Sequence, residues 1–202
     1  MIIAFCFALG LNFISYWFSD KIVLFMYRAK PLPEDEAPEI HRIVRELATA
    51  ARIPKPKVYR IPVQTPNAFA TGRSPKKAVV ALTDGILNLL NNEEIKGVVG
   101  HELSHIIHYD MLISTIAAVL AGAISIIATM ARWSLFFFGF GGRNRRGPGD
   151  IVGTLILIIL APIIALIIRM AISRSREYMA DAGSAKLTHN PLGLASALEK
   201  LN

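Results

Sequence analysis

Five consecutive residues, His101-Glu102-Leu103-Ser104-His105, carry the strongest chemical signal in the chain. On a helix, positions four apart share one face and lie about 6 Å apart along the axis. Two imidazoles so placed can bind one Zn²⁺ at about 2.0–2.1 Å each. Glu102 projects beside the metal rather than onto it, where it can take a proton from a water that the metal has acidified. The pattern fixes only three residues of five, so chance matches occur, and a pair of helical histidines can be surface decoration. Position argues against that reading. The motif directly precedes a long apolar stretch, where two histidines and a glutamate would be costly to bury without a partner.

A catalytic zinc keeps three protein ligands and leaves the fourth position to water. His108 is not the third. It lies about 10.5 Å from His101 along the same helix and lacks the H-x-x-G-x-x-H extension that would bring a histidine back. A histidine at a membrane interface is its better reading. The acidic candidate is Glu177, in Ser173-Arg174-Ser175-Arg176-Glu177-Tyr178-Met179-Ala180-Asp181. Two membrane crossings, by residues 111–131 and 151–172, would return the chain to the side where His101 and His105 lie. Asp181, one helical turn beyond Glu177, could accept a hydrogen bond from the second nitrogen of a ligating histidine. Without the H-E-x-x-H motif, solvated charges on a juxtamembrane helix would explain both acids.

The elements that must hold these residues follow from patterning. Asn91 or Asn92 caps a helix with Glu93 and Glu94 in its first turn, where the macrodipole favours negative charge. That helix has no evident stop before the second apolar stretch and is expected to run straight on into it. Ile40, Ile43, Val44 and Leu47 recur at helical spacing within 34–52, which predicts an amphipathic helix. Residues 57–62 and 77–83 look like strands. Residues 67–71 suggest a third, with 72–75 as the turn of a hairpin.

Composition sets the surroundings. Hydrophobic residues make up 53% of the chain and charged residues 18%, against about 25% charged in a typical soluble domain. Three stretches approach the roughly 20 apolar residues needed to cross a bilayer. The first, 1–27, has no basic n-region or A-x-A-like cleavage site and reads as a retained helix rather than a signal peptide. The second, 111–140, has Ala118 and Gly122 spaced for close helix approach. The third, 151–172, carries Pro162 as a kink. A short polar loop at 141–150 separates the last two, leaving 28–110 and 173–202 as the soluble parts. The net charge of +7 sits largely beside apolar segments, as basic flanks of membrane helices do, which weighs against nucleic acid as a partner. The single cysteine, Cys6, excludes an intrachain disulfide.

Three blocks in order resemble the HtpX-type membrane zinc metalloproteases, relatives of the CAAX prenyl proteases. They are Pro66-Asn67-Ala68-Phe69-Ala70-Thr71-Gly72, then His101–His105 followed by Asp110-Met111, and then Ser173–Ala185. The resemblance covers most of the chain from about Lys30, although relatives begin with a further membrane helix and continue beyond Asn202. It implies one Zn²⁺ per chain held by His101, His105 and Glu177, with Glu102 as general base and Asp181 behind the ligands. It also implies that Asn67 lies beside the site on an edge strand that receives substrate, where it could bond substrate backbone or a developing oxyanion. Turn chemistry after Pro66 explains Asn67 equally well.

The resulting expectation is an α+β fold, a zincin-like metalloprotease domain with a small β-sheet fused to about three transmembrane helices. The implied activity is hydrolysis of peptide bonds in misfolded or damaged membrane proteins, a stress and quality-control role. The protein would be integral to the cell membrane, with its active site on the cytoplasmic side, since Lys21, Arg28, Lys30, Arg169, Arg174 and Arg176 outnumber Arg143, Arg145 and Arg146. Two rivals are a prenyl-protein processing enzyme, which would need a larger enclosed helical chamber, and a shortened, non-catalytic membrane scaffold.

Overall fold

A computed structural model of the chain describes residues 10, 13–14, 16–138 and 148–201. Residues 1–9 of the first apolar stretch, Cys6 among them, and the loop at 139–147 lie outside these. The described residues fall into two compact units, one comprising 10–113 and 175–201, the other including Ser114–Arg174.

The first unit opens with α1 (Ser19–Met26) and a two-residue strand β1 (Lys30–Pro31). Helix α2 (Pro38–Ala50) starts with proline at its first position, where the missing N–H costs nothing. It buries Ile40, Ile43, Val44 and Leu47 on one face, as the helical spacing predicts. Strands β2 (Lys57–Ile61), β3 (Ala68–Thr71) and β4 (Val79–Thr83) complete a four-stranded sheet in the order β1-β2-β4-β3. The parallel β2–β4 pair sets Val58 opposite Val80 and Ile61 opposite Thr83. All five residues of β4 are buried, as suits a strand covered on both faces. Antiparallel β3 is an edge strand, with Ala70 opposite Val80. Strand β1 and the short helix α3 (Asp84–Leu89) carry no pattern long enough to be read from sequence. The Thr83 side chain caps α3 by accepting from the Ile86 amide.

Helix α4 (Asn92–Ile107) holds the H-E-x-x-H motif. Asn91 caps it: its side chain accepts from the Glu94 amide while the Glu94 carboxylate accepts from the Asn91 amide, a reciprocal capping box. The expectation that this helix runs on unbroken is corrected. It ends at Ile107, Tyr109 adopts φ 56°, and a new helix α5 (Asp110–Phe138) begins at Asp110. Asp110 opens the new helix where an acid suits the dipole, and its carboxylate is engaged by His105 and Arg176.

Helix α6 (Pro148–Thr188) is continuous through Pro162, and α7 (Pro191–Leu201) closes the described chain. Ile43, Leu47, Val80, Leu82, Val99 and Leu103 form the core of the first unit, with Leu194 and Ala197 of α7 packed into it. In the second unit, Ile116, Leu120, Leu160, Leu166 and Ile167 are exposed, far more apolar surface than a water-facing helix usually presents. Among the described residues no single helix is long and apolar enough to cross a membrane, while the broken pair Asn92–Ile107 and Asp110–Ile124 passes that test together.

Glu94 ties α4 to α7. Ser196 donates to one of its carboxylate oxygens and Lys200 to the other. These bonds, Lys200 first, then Ser196 and the Asn91 amide, pull its pKa from 4.5 down to about 2. A group whose folded pKa is depressed contributes stability above its unfolded pKa and loses it as pH falls through the folded one. The parent protein is therefore expected to lose more thermal stability than Glu94→Gln as pH is lowered from about 5 to about 2. Parallel melting curves in detergent check this, and identical slopes would contradict it.

Candidate metal centre

Helix α4 presents His101 and His105 on one face, as the four-residue spacing dictates. Their Nε2 atoms lie 3.1 Å apart. Glu177 Oε2 stands 3.5 Å from His101 Nε2 and 3.9 Å from His105 Nε2. One donor atom from each of the three residues falls within 4.8 Å of the other two.

What brings α6 against α4 is an interface of small residues. A side chain at Gly183 would place its Cβ 2.8 Å from Ser104 Cβ, and one at Gly100 would meet Ser184 Oγ at 3.1 Å. Ser184 donates to the Gly97 carbonyl at 2.7 Å, and Ser104 donates to the Gly100 carbonyl at 3.0 Å. On its other flank α4 meets α7, where a Cβ at Gly97 would fall 2.8 Å from Leu194 Cα. Glycines at these crossings let the backbones approach closely enough for Glu177 to reach the histidines.

Two carboxylates face the outer ring nitrogens. Asp181 Oδ1 lies 2.9 Å from His101 Nδ1, and Asp110 Oδ2 lies 2.6 Å from His105 Nδ1. Carboxylates accept, so each Nδ1 donates and carries the ring proton. Both Nε2 atoms then face each other and the Glu177 carboxylate, an electron-rich cluster that a shared proton or a bound cation would satisfy. Two imidazoles and one carboxylate form a donor set suited to zinc.

Glu102 lines one cavity with His101 and Glu177, and the Ala70 amide of edge strand β3 donates to its Oε2 at 3.0 Å. Burial raises its pKa. The Ala70 amide opposes that most strongly, followed by His101 and His105, while Glu177 adds to the rise. A carboxylate so raised is a better proton acceptor than an exposed one. Next to it a cavity of about 430 Å³ is lined by Asn67, Ala68, His101, Glu102 and Glu177 on one side and by Ile86, Val98, Leu194 and Leu198 on the other. The Asn67 backbone is fixed by Thr83, whose hydroxyl bonds both its amide and its carbonyl. His108 is not among the grouped donors. It is the C-cap of α4, with its Nδ1 buried and unpartnered.

Sequence reasoning reached His101, Glu102, His105, Glu177, Asp181 and Asn67; the fold brings five of them to one cavity and sets His105 against His101 beside it. It missed three groups. Asp110 stands five residues beyond His105, across a helix break that the apolar run conceals. The Ala70 amide is a backbone group with no sequence signature. Arg176 reads only as a flanking charge, yet its guanidinium pairs with Asp110.

A two-layer α+β domain with an H-E-x-x-H helix, an edge strand alongside and a glutamate from a later helix is a peptidase architecture. Residues 34–202 match peptidase family M48, and the chain belongs to that family. It is 58% identical over its whole length to the protease HtpX homolog of Thermococcus sibiricus and 59% identical to that of Persephonella marina, spanning 69% of each. The homolog from Pyrococcus furiosus is 58% identical, with 69% of its length covered. These relatives bear out the resemblance carried by the three sequence blocks. Among solved structures, the fold is similar to that of S. mikatae Ste24p, with a TM-score of 0.66 at 22% identity over 98% of this chain and 50% of that one.

The close α4–α6 crossing gives a signed prediction. In a helix interior Gly→Ala ordinarily stabilises by up to about 1 kcal/mol. Gly122→Ala, whose added Cβ meets none of the described atoms within 4 Å, follows that rule. Gly183→Ala instead lowers stability by about 1–3 kcal/mol, because Ser104 must give way. Denaturant unfolding of both variants checks the opposite signs. A stabilised Gly183→Ala would contradict the packing.

Proposed function

We propose that this chain is a membrane-embedded zinc endopeptidase that hydrolyses unfolded or damaged proteins, with His101, His105 and Glu177 as ligands and Glu102 as general base. The observation that carries the reading is the convergence of two imidazole nitrogens and a carboxylate oxygen within 4.8 Å, with a pKa-raised carboxylate from the same helix next to them. Asp181 and Asp110 hold the two rings in the tautomer that ligation requires. When bound, zinc supplies Lewis acidity toward water and toward the scissile carbonyl.

The protein's own groups do the rest. Glu102 accepts a proton from the attacking water and returns it to the leaving amine. The Ala70 amide holds one oxygen of that carboxylate, which leaves the other to face the attacking water. The free edge of β3 offers backbone groups to an extended polypeptide, a mode of binding that asks for little sequence and suits unfolded substrates. Asn67, at the start of that edge, is positioned to bond substrate backbone or the oxyanion.

Membrane embedding is supported by the exposed apolar faces of α5 and α6 and by the apolar stretches at 1–27, 111–140 and 151–172. Lys21, Arg28 and Lys30 beside α1 favour a cytoplasmic active site. The proposal extends to a role in quality control, acting on misfolded membrane proteins, as the resemblance of the three sequence blocks implies.

Detergent-purified protein is expected to bind about one zinc per chain and to cleave casein in a chelator-sensitive way. Glu102→Gln retains the zinc and loses activity by at least about 10²-fold. Glu177→Ala loses the zinc itself. Zinc content by mass spectrometry and casein cleavage check both variants, and a Glu102→Gln variant as active as the parent would remove the proposed base.

A further inference from the structure

Arg176 is a rare feature, an arginine with only 15% of its side chain exposed. Its guanidinium pairs with Asp110, itself 12% exposed, and the same Nη2 donates to the His108 carbonyl at 2.7 Å. Nη1 lies 3.8 Å from Met179 Sδ. Burying an ion pair generally gains little stability over packed apolar side chains, so such a pair is better explained by the geometry it imposes.

That geometry links three parts of the site. The His108 carbonyl belongs to the end of α4, where four carbonyls lack helical partners. Asp110 holds His105 Nδ1 at 2.6 Å. Arg176 precedes Glu177 in the chain. One planar group thus joins the end of the histidine helix, the carboxylate that orients His105 and the backbone that carries Glu177. We infer that Arg176 is a positioning residue for the metal: it fixes Asp110, and through it the His105 ring, against the same turn of α6 that supplies Glu177.

The role rests on the zinc reading above and is distinct from it. Without Arg176 the Asp110 carboxylate is free to turn toward solvent, and the His105 ring loses the partner that sets its tautomer and direction. Lysine is not equivalent, because both contacts are made by the outermost nitrogen, Nη2, and the lysine stem ends one bond short of that position.

The test is a double-mutant cycle on zinc affinity, measured in detergent by competition with a chromophoric chelator, with melting temperature recorded alongside. Arg176→Met and Asp110→Asn are each expected to weaken zinc binding about 10–100-fold. The double variant should be no weaker than the worse single one, since Arg176 acts through Asp110. Arg176→Lys, which keeps the buried charge neutralised, should fold and still bind zinc about 10-fold more weakly. It serves where the methionine variant does not fold. A parent-like zinc affinity in Arg176→Lys overturns the proposal, as does a double variant whose loss is the product of the two single losses. Either result leaves the zinc site standing, whereas a parent that binds no zinc overturns both.

Discussion

The Nδ1 atoms of His101 and His105 are each taken by an aspartate, which leaves the two Nε2 atoms facing one another across 3.1 Å with a glutamate oxygen beside them. Three electron-rich groups gather this closely only where the surrounding structure over-determines their positions. Much of the first unit can be understood as the means of holding that arrangement. Helix α4 is capped by Asn91 at one end, tied to α7 through Glu94, and joined by its last turn to Arg176 at the other. A helix so constrained cannot rotate its two histidines away from Glu177.

The third donor comes from far along the sequence, and its arrival depends on what is absent rather than on what is present. Gly97, Gly100 and Gly183 remove side chains where α4 meets its neighbours, and Ser104 and Ser184 satisfy their hydroxyls on backbone carbonyls of the same helix. On the opposite side the edge strand β3 is close enough for the Ala70 amide to bond Glu102. One helix turn thus meets two neighbours, His101 and His105 facing Glu177 of α6 and Glu102 bonded by the Ala70 amide of the sheet edge.

Much of this was legible in the residues. The α4 motif, its asparagine cap and its acidic first turn are local signals, and local signals survive folding. The amphipathic α2 and the strands of the sheet were readable because burial imposes its period on the side chains. The end of α4 was not readable, because His108 and Tyr109 sit in a run apolar enough to continue a helix, and the break is fixed by tertiary bonds from Asp110 and Arg176. Arg176 was counted among the charges flanking a membrane segment, because nothing in its neighbours along the chain announces that it is buried against Asp110.

The most direct test of the account is X-ray absorption at the zinc edge of the purified protein. The account predicts one zinc per chain with two imidazole nitrogens at about 2.0–2.1 Å and otherwise only oxygen ligands. In Glu177→Ala that first shell should be lost. Sulfur in the shell, a single imidazole, or a spectrum unchanged in Glu177→Ala would contradict the site built from His101, His105 and Glu177.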